Sequence, residues 1–507
     1  MRPKFLLLIC FFYLSMSAQI TNLSKLSKGK FYSSDIIKDV NNNIRGYLLL
    51  FETDKIAKET YELEYIILDE NLAKVTNGFI TEMKYEGFMF KADKVRVRAS
   101  LEKDKLLLKF TDSFNGVEYY ERYRMLDIST NDLTEPFIFN KDSIKLNPEF
   151  DRKLSNFSDN QSERILLFNK VGMVVNSRAF FKKENVTSRR LVHYDDKFNK
   201  VWSYTYNNIK DKLLKDLTYL NSDQDVILLF NHETKNNSML DWKEGHSVVM
   251  LDSKKGILIT EFNFPEMDKN TYRVVNCKIT DDKVYLMGNY SARSKTGWLD
   301  DTNNLGLFKF VLNKQTGKVE ESKIIKWETI KRDGFEINKV GKVKKEGYIY
   351  IHNMLMLDNG KIVTVAETFE SGPIITNNMY LFELSEEFSI NQIFTVEKFR
   401  NKFPRTAAHS SDIDRYGLFD FIDFQDLGDN EYLFFLNDNE KNSRNRKAST
   451  LYGIVSYSEG KFKRQTLNLK TETSSIKAYS AKKGYIMLVE NFENNKSSEL
   501  RLEKINY

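Results

Sequence analysis

Cysteine, proline and long hydrophobic runs are scarce in this sequence. It contains 2 Cys and 6 Pro among 507 residues. Its N-terminal apolar run, Phe5 to Leu14, falls short of the roughly 20 apolar residues that a membrane helix needs. Removal of an N-terminal leader would leave Cys277 as the sole cysteine, so we expect no intramolecular disulfide and a small, buried thiol. These absences argue against a transmembrane segment and against a disulfide-rich scaffold.

The local signatures of common catalytic and cofactor chemistry are also missing. The sequence has no Gly-x-Ser-x-Gly, His-Glu-x-x-His, Cys-x-x-Cys, phosphate-loop or Gly-x-Gly-x-x-Gly motif. His232 and His246 flank one predicted loop without a third ligand, and the stretch from His409 to Asp414 fits no standard metal loop. We therefore predict no metal and no cofactor, and we name no catalytic residue.

The first 18 residues predict export. Two basic residues precede the run Phe5 to Leu14, and small residues follow it up to Ala18, which is the order of a secretory signal peptide. We expect cleavage after Ser17 or Ala18 and a product that is periplasmic, on the outer surface or secreted. Lipidation at Cys10 is the alternative, and the bulky Ile9 before it disfavours that alternative.

The composition indicates a folded protein with a large core. Hydrophobic residues make up 41% of the chain and charged residues 29%, with 37 Phe and 26 Tyr. The net charge of +6 is too small to identify a partner unless it is concentrated in one region. Since no nucleic-acid-binding module is present, we expect no nucleic-acid partner.

A short β-patterned run after a polar turn recurs eight times. The copies begin at Asn41, Glu102, Asn169, Ser222, Thr280, Leu357, Leu427 and Ala481. Most are followed by a strand, a tight polar turn and another strand. Each unit therefore predicts four antiparallel strands, A to D, with short A–B and C–D turns. The stretch from Asn207 to Leu220 fits a helix and a strand equally well.

Repeated four-stranded units are typical of a β-propeller, because one four-stranded sheet cannot bury both its faces alone. We predict an all-β protein in which residues 19–507 form a single β-propeller domain of seven or eight four-stranded antiparallel blades, with eight preferred from the repeat count. The last unit has only three strands. The stretch from Ile20 to Tyr32 is expected to supply its outer strand.

Two of the units carry a resemblance to a known fold. The strand-turn-strand VLNKQTGKVEES, from Val311, resembles quinoprotein-like blades, and LDSKKGILIT, from Leu251, is a weaker version. The chain resembles the β-propeller superfamily over nearly all its length, and in particular the uncharacterised secreted propeller-like proteins of Gram-negative bacteria. It lacks the paired motifs of the tryptophan-aspartate and kelch families. The resemblance implies a fold and no activity.

The two ends of the predicted blades differ in loop length. The A–B and C–D turns are mostly short, whereas several B–C loops and D–A connections are long and basic. We place the functional site at the B–C and D–A end, because long loops cost ordering entropy and usually persist for binding. The candidate ligand-binding residues are Arg178, Lys182, Lys183, Arg189, Arg190, Trp298, Lys398, Arg400, Lys402, Arg405, Arg444 and Arg446.

These features favour an exported, non-catalytic binding or interaction module whose ligand is a protein or a glycan, possibly an anionic one. The loops would serve only solubility if their charge has no partner. The alternative function is a glycan-active enzyme with carboxylates at the propeller mouth, although the sequence identifies no carboxylate pair.

Overall fold

The described part of the chain is predominantly β-strand. The structure is a computed structural model. It describes residues 20–506 except 40–42, 58–59, 84–93, 115–116, 141–142, 147–163, 170–171, 182–185, 208–212, 239–240, 294–300, 404–409, 441–448, 470–473 and 493–497. The predicted leader and its cleavage site lie outside the described residues. None of the described helices is long and apolar enough to span a bilayer.

The chain divides into two compact units, which are described separately. The first contains residues 1–84 and 469–507, and the second contains residues 85–468. The prediction that residues 19–507 form one domain stays a prediction.

The first unit contains two four-stranded antiparallel sheets. One consists of β2 (Lys30–Lys38), β3 (Ile44–Ala57), β4 (Thr60–Asp69) and β5 (Lys74–Met83). The other consists of β34 (Ser474–Ser480), β35 (Tyr485–Phe492), β36 (Ser498–Lys504) and β1 (Ile20–Asn22), and helix α1 (Leu23–Leu26) follows β1. Leu49 and Ile66 of the first sheet share a core with Met487 and Leu500 of the second.

The outer strand of the last sheet comes from the start of the described chain. Residues Ile20 to Asn22 pair antiparallel with Glu499 to Arg501, and the Asn22 amide donates to the Glu499 carboxylate at 3.0 Å. This confirms the prediction that the stretch after the leader completes the last, three-stranded repeat.

The second unit begins with the least regular repeat. Its strands are β6 (Lys94–Glu102), β7 (Lys105–Phe114), β8 (Val117–Asp127), β9 (Asp132–Leu133), β10 (Phe137–Asn140) and β11 (Ser143–Leu146). Short strands β9 and β10 both pair with β8, so the place of a long fourth strand is divided between them.

Five regular antiparallel sheets follow in the second unit. The first two consist of β12 (Arg164–Asn169), β13 (Gly172–Phe181), β14 (Val186–Tyr194) and β15 (Lys200–Thr205), and of β16 (Leu213–Ser222), β17 (Val226–Ser238), β18 (Asp241–Asp252) and β19 (Leu258–Asn263). The ambiguous stretch from Asn207 therefore forms strand rather than helix over its described part, since β16 begins at Leu213.

The remaining sheets have the same order. The third consists of β20 (Asn270–Ile279), β21 (Lys283–Ala292), β22 (Asn304–Asn313) and β23 (Val319–Lys326), with 3₁₀ turns at Asp301–Asn303 and Trp327–Thr329. The fourth consists of β25 (Gly347–Met356), β26 (Ile362–Ser371), β27 (Ile374–Leu384) and β28 (Ile390–Val396), with short β24 (Lys342–Val343) and β29 (Asn401–Lys402) beside it. Helix α2 (Ser410–Arg415) precedes the fifth, which consists of β30 (Phe421–Gly428), β31 (Glu431–Glu440), β32 (Ser449–Ser458) and β33 (Lys461–Asn468).

Continuous apolar runs in the middle strands are explained by burial of both sheet faces. Along β17, Ile227 and Leu229 pack toward the preceding sheet, whereas Val226 and Leu228 pack toward the following one. Outer strands have one face toward solvent, and β23 accordingly alternates between exposed and more buried residues.

The first strands of successive sheets lie side by side. Asn221 of β16 donates to the Cys277 carbonyl of β20 at 3.0 Å, and Asn276 of β20 donates to Asn353 of β25 at 3.0 Å. Sheets stacked face to face with adjacent first strands are the blades of a β-propeller. The predicted all-β, four-stranded repeat is therefore confirmed, and the count of seven or eight blades stays a prediction.

Candidate functional site

Two features lie at one end of the sheets, where the second strand of each sheet ends and the third strand begins. We call this end the loop end, because it carries the B–C loops and D–A connections. The Arg273 side chain of β20 donates to the Ile351 carbonyl of β25, and Lys278, further along β20, donates to the Met356 carbonyl, further along β25. The two strands therefore run in the same direction. The loop ends of these two neighbouring sheets therefore lie on the same side. One bears a pocket, and the other bears a buried cluster of charges.

The pocket has a volume of about 470 Å³ and belongs to the β20–β23 sheet. We call it the tyrosine pocket. Among its lining residues, Tyr272 and Tyr290 are buried, whereas Ile324 is 44% exposed. The lining also includes Glu266, Asn270, Leu305, Lys326, Glu328 and Lys339. Polar groups of both charges therefore surround an aromatic and aliphatic centre.

The two tyrosines form a cross-strand pair. Tyr272 of β20 is directly opposite Tyr290 of β21, and their ring centroids are 5.8 Å apart. Phe264 stacks on Tyr272 at 4.8 Å with nearly parallel planes, so the pair rests on a third ring. Aromatic cross-strand pairs of this kind stabilise a sheet and fix the ring positions.

The charges of two glutamates act on the tyrosine pair. Burial raises the pKa of Tyr290 to about 12, and the neighbouring Tyr272 and Glu328 add to the increase. Burial also raises the pKa of Tyr272, with a further contribution from Glu266. Both hydroxyls therefore keep their protons at neutral pH, and both carboxylates lie near the same aromatic pair.

Glu266 lies in a tightly held turn. Its φ of 48° is in the left-handed region, which is uncommon for a residue with a side chain. The backbone amides of Lys269 and Asn270 both donate to the Glu266 carbonyl at 2.9 Å. Arg293, just after β21, donates to the Met267 carbonyl at 2.6 Å. The turn is thus held by backbone hydrogen bonds at Glu266 and by a side-chain hydrogen bond at the next residue.

The segments that carry Glu328 and Lys339 are anchored in the same way. Trp327, beside Glu328, is fully buried and donates its indole N–H to the Asn304 side chain at 2.9 Å. Gly341 lies two residues after Lys339, and its carbonyl accepts a hydrogen bond from the Ile349 amide at 2.9 Å. The exposed charged groups of the pocket are therefore held by buried neighbours.

The second feature is a buried ion cluster in the β25–β28 sheet. The Lys398 amine lies 3.1 Å from the Glu367 carboxylate and also contacts the Asp420 carboxylate. The side chains of Lys398 and Glu367 have no exposed area. The backbone amides of Asp420 and Phe421 donate to Glu367 at 3.1–3.3 Å, and His352 Nε2 lies 3.3 Å from it.

Burial and neighbouring charges drive the pKa values of the two acids apart. Burial raises the pKa of Asp420 to about 7, and the Glu367 charge adds to the increase. Burial opposes the ionisation of Glu367, but Lys398 and His352 outweigh it and lower the Glu367 pKa. Burial likewise opposes the Lys398 charge, and the two carboxylates overcome it and raise the Lys398 pKa.

Lys398 requires a correction among the predicted ligand-binding residues. The sequence analysis places it on an exposed basic loop, and that expectation is wrong. Its amine is enclosed by two carboxylates and has no exposed area. Its acidic partners, Glu367 and Asp420, are 31 and 22 residues away in sequence. They supply the compensating charge that a buried ammonium needs.

The other described candidates remain at or near the surface. Arg189 donates to the Lys215 carbonyl at 2.6 Å and to Asp216 at 3.1 Å, and Arg190 is half-buried beside it. Arg400 is 62% exposed and pairs with Glu370 at 2.8 Å, and Lys402 is exposed on β29. The side chains of Arg178, Lys182, Lys183, Trp298, Arg405, Arg444 and Arg446 lie outside the described residues.

The two histidines that flank a predicted loop do meet. His232 and His246 are directly opposite each other on β17 and β18, with ring centroids 5.0 Å apart. Within the described ranges, no group of three or more His, Cys, Asp or Glu residues could hold a metal ion. The pair therefore gains no third ligand from these parts of the chain.

Sequence reasoning missed the tyrosine pocket and the acids of the ion cluster. Glu266 and Glu328 lie in ordinary polar connections, so nothing local distinguishes them. Glu367 did give a signal, because it is a carboxylate in the middle of the apolar run IVTVAETF. A charge within a strand that is buried on both faces requires a partner.

Among curated proteins, none matches the sequence. The chain is similar to the structure of a Dos1 propeller, with 8% identity, 96% of this chain and 95% of that chain covered, and a TM-score of 0.41. It is similar to an ulvan lyase of polysaccharide lyase family PL25, with 9% identity, 80% and 91% covered, and a TM-score of 0.39. It is also similar to an endo-arabinase from Bacteroides thetaiotaomicron, with 11% identity, 58% and 94% covered, and a TM-score of 0.25.

These TM-scores are low, and no property of those proteins is transferred to this chain. The sequence match to a family is extensive by contrast. One family model matches residues 1–372 and 373–506, and these two ranges together span nearly the whole chain. The chain therefore belongs to the family of unknown function DUF6770.

Proposed function

We propose that this protein is a non-catalytic binding module and that it holds one sugar unit of a glycan in the tyrosine pocket. The observation that carries the proposal is the pocket itself, in which anchored side chains of both charges surround an aromatic and aliphatic centre. Its volume of about 470 Å³ is within the range of about 300–1,000 Å³ typical of ligand sites. Export to the periplasm, outer surface or medium remains part of the proposal.

A sugar matches the chemistry of these groups. Its hydroxyls can donate to the carboxylates of Glu266 and Glu328 and accept from the ammonium groups of Lys326 and Lys339. Its C–H faces can contact Leu305 and the exposed Ile324. Hydrogen bonds to charged groups contribute about 1.5–3 kcal/mol each, which is enough for a small ligand to select this site.

The acid pairs elsewhere in the second unit favour binding over catalysis. Glu233 and Glu261 both contact the Lys215 amine, at 2.9 and 3.0 Å. Burial opposes ionisation of Glu261, but Lys215 and Ser247 outweigh it and lower the Glu261 pKa, which is the opposite of what a general acid needs. Glu261 is therefore poorly suited to donate a proton to a substrate.

The Glu367 and Asp420 pair has divergent pKa values, as an acid and base pair would. However, Glu367 has no exposed side-chain area, and the Asp420 side chain is only 5% exposed. A group that transfers a proton must reach the reacting atom. This pair is therefore poorly placed for catalysis.

A glycan-active enzyme remains the second candidate, because Glu266 and Glu328 share one pocket. Two carboxylates across a sugar-sized pocket are what glycoside hydrolysis requires. The basic candidates at the loop end, without Lys398, stay proposed contacts for an anionic part of the same ligand.

The proposal is tested by a glycan array, followed by titration calorimetry with the best-binding oligosaccharide. Glu266→Gln and Glu328→Gln should each weaken binding about tenfold or more, since each loses a charge-assisted hydrogen bond. The matched control is Glu320→Gln, an exposed glutamate on β23 that does not line the pocket. It should leave affinity unchanged, and all three variants should melt at the native temperature.

Two outcomes would contradict the proposal. Binding that survives both pocket substitutions would move the site elsewhere. Glycan cleavage by the native protein that disappears in Glu266→Gln or Glu328→Gln would replace the binding module by the enzyme.

A further inference from the structure

We propose that the buried cluster of Glu367, Lys398 and Asp420 is a proton-binding site, in which Asp420 takes up one proton as the pH falls and thereby makes the fastening of the β28–β30 connection pH-sensitive. The inference is independent of the ligand proposed for the tyrosine pocket.

The cluster contains two carboxylates and one ammonium. Lys398 contacts both acids, and the Asp420 amide donates to both oxygens of Glu367 at 3.1–3.2 Å. If both acids were ionised, one negative charge would remain uncompensated in a site with almost no exposed area. Buried like charges repel strongly, and uptake of a single proton removes the excess.

The hydrogen bonds determine which acid takes the proton. Glu367 accepts from two backbone amides, of Asp420 and Phe421, and from Lys398. Asp420 accepts from Lys398, from the Asn401 side-chain amide at 3.1 Å and from the Thr376 hydroxyl at 3.5 Å. Because two donors to Glu367 are backbone amides, whereas these three donors to Asp420 are side chains, the ionised form of Glu367 is better stabilised, and the proton resides on Asp420. The raised pKa of Asp420 and the lowered pKa of Glu367 agree with this assignment.

Charged groups from the surrounding strands leave this balance in place. Asp438 of β31 accepts from the Phe399 amide at 2.9 Å, and Arg464 of β33 lies 3.7 Å from it and balances its charge. Burial raises the pKa of Asp438, and Lys398 and Arg464 oppose the increase. On β25, His352 Nε2 lies 3.3 Å from Glu367 and is charged only if it binds a proton itself. Without proton uptake, the excess negative charge therefore remains within the Glu367 and Asp420 pair.

The cluster ties both ends of one connection to the sheet. Lys398 lies two residues after β28, and Asp420 immediately precedes β30, while Glu367 belongs to β26. Loss of the proton leaves an unbalanced negative charge at this junction. The attachment of the connection should therefore weaken as the pH rises.

The proton on Asp420 links the stability of the folded chain to pH. The pKa of Asp420 is about 7 in the folded chain and has an ordinary value of 3.8. Between these two values the folded chain keeps a proton that the unfolded chain has lost, so stability falls as the pH rises. Above pH 7 both states have lost the proton, and the contribution becomes constant.

The test compares the native full-length chain with Asp420→Asn, which mimics the protonated acid. Urea unfolding is measured at pH 5, 6, 7 and 8. The ratio of the native to the variant unfolding constant should rise about tenfold per pH unit between pH 5 and 6 and level off above pH 7. At pH 8 the variant should be at least as stable as the native chain. Asp358→Asn, at a site 80% exposed, is the control and should show a constant ratio.

A pH-independent effect of Asp420→Asn would contradict the proposal. If Asp420 were an ordinary ionised partner of Lys398, Asp420→Asn would destabilise the chain by the same factor at all four pH values. Infrared difference spectroscopy on the folded native chain provides the second measurement. A protonated carboxyl band should be present at pH 6, decline by pH 8 and be absent from Asp420→Asn. A band missing from the native chain at pH 6 would overturn the proposal.

Discussion

Replacement of Lys398 by methionine should strongly destabilise the second unit. The substitution keeps an unbranched side chain of similar length but removes the ammonium that contacts Glu367 and Asp420. Glu367 then retains its backbone donors but loses the only lysine within ion-pair distance among the described residues. A fully buried carboxylate thereby loses its lysine counter-charge.

The expected cost is about 3–5 kcal/mol at pH 8, the range for removing one member of a buried ion pair. The lower end is favoured, because the amides of Asp420 and Phe421 continue to donate to Glu367. Without Lys398, the pKa of Glu367 should rise. The cost should therefore shrink as the pH falls and Glu367 takes up a proton.

The assay is urea unfolding monitored by circular dichroism at pH 8 and pH 5. Arg400→Met provides the matched control, because Arg400 lies two residues away, is 62% exposed and pairs with the partly exposed Glu370. Exposed pairs contribute at most about 1 kcal/mol, so the control should unfold almost as the native chain does. Equal stability of the two variants at pH 8 would refute the assignment of Lys398 to a buried cluster.

Three further predictions concern other parts of the chain. Burial raises the pKa of Cys277 to about 12, so iodoacetamide should label it slowly in the folded chain and rapidly in urea; fast labelling of the folded chain would contradict its burial. A Cβ at Gly288 would lie 1.9 Å from the Arg273 carbonyl oxygen, so Gly288→Ala should cost about 1–3 kcal/mol or more, and an unchanged melting temperature would show that β20 can move aside. Intact mass should give an N-terminus at Ala18 or Gln19 without lipid, whereas a diacylated cysteine would reject simple cleavage.

Local sequence was sufficient to predict the strands and turns. In the stretch MLDNGKIVTVAETF, the turn residues close a hydrogen-bonded reversal, with the Leu357 amide donating to the Lys361 carbonyl and Gly360 at a φ of 79°. Such turns depend on backbone preferences of adjacent residues, which a sequence displays directly. The β1 strand was predictable for another reason, since the last repeat lacked one of its four strands.

The candidate site was only partly predictable. The choice of the loop end followed from loop lengths, and both the tyrosine pocket and the ion cluster lie there. The residues that form them were not identified, since Glu266 and Glu328 come from segments 62 residues apart and meet only after the sheet has formed. Exposure was the weakest inference, as Lys398 shows.

The sequence by itself determined the β-strand period, the four-stranded repeat and the end of the sheets where long loops gather, because each depends on residues close together in the chain. Only the tertiary structure decided which charges are buried, which acids share a lysine and which side chains enclose a pocket. Burial and the pKa values that follow from it depend on how much solvent distant segments remove. Lys398 and Asp420 look like ordinary surface residues in the sequence, and only the folded chain brings them to Glu367 and removes all three almost entirely from solvent.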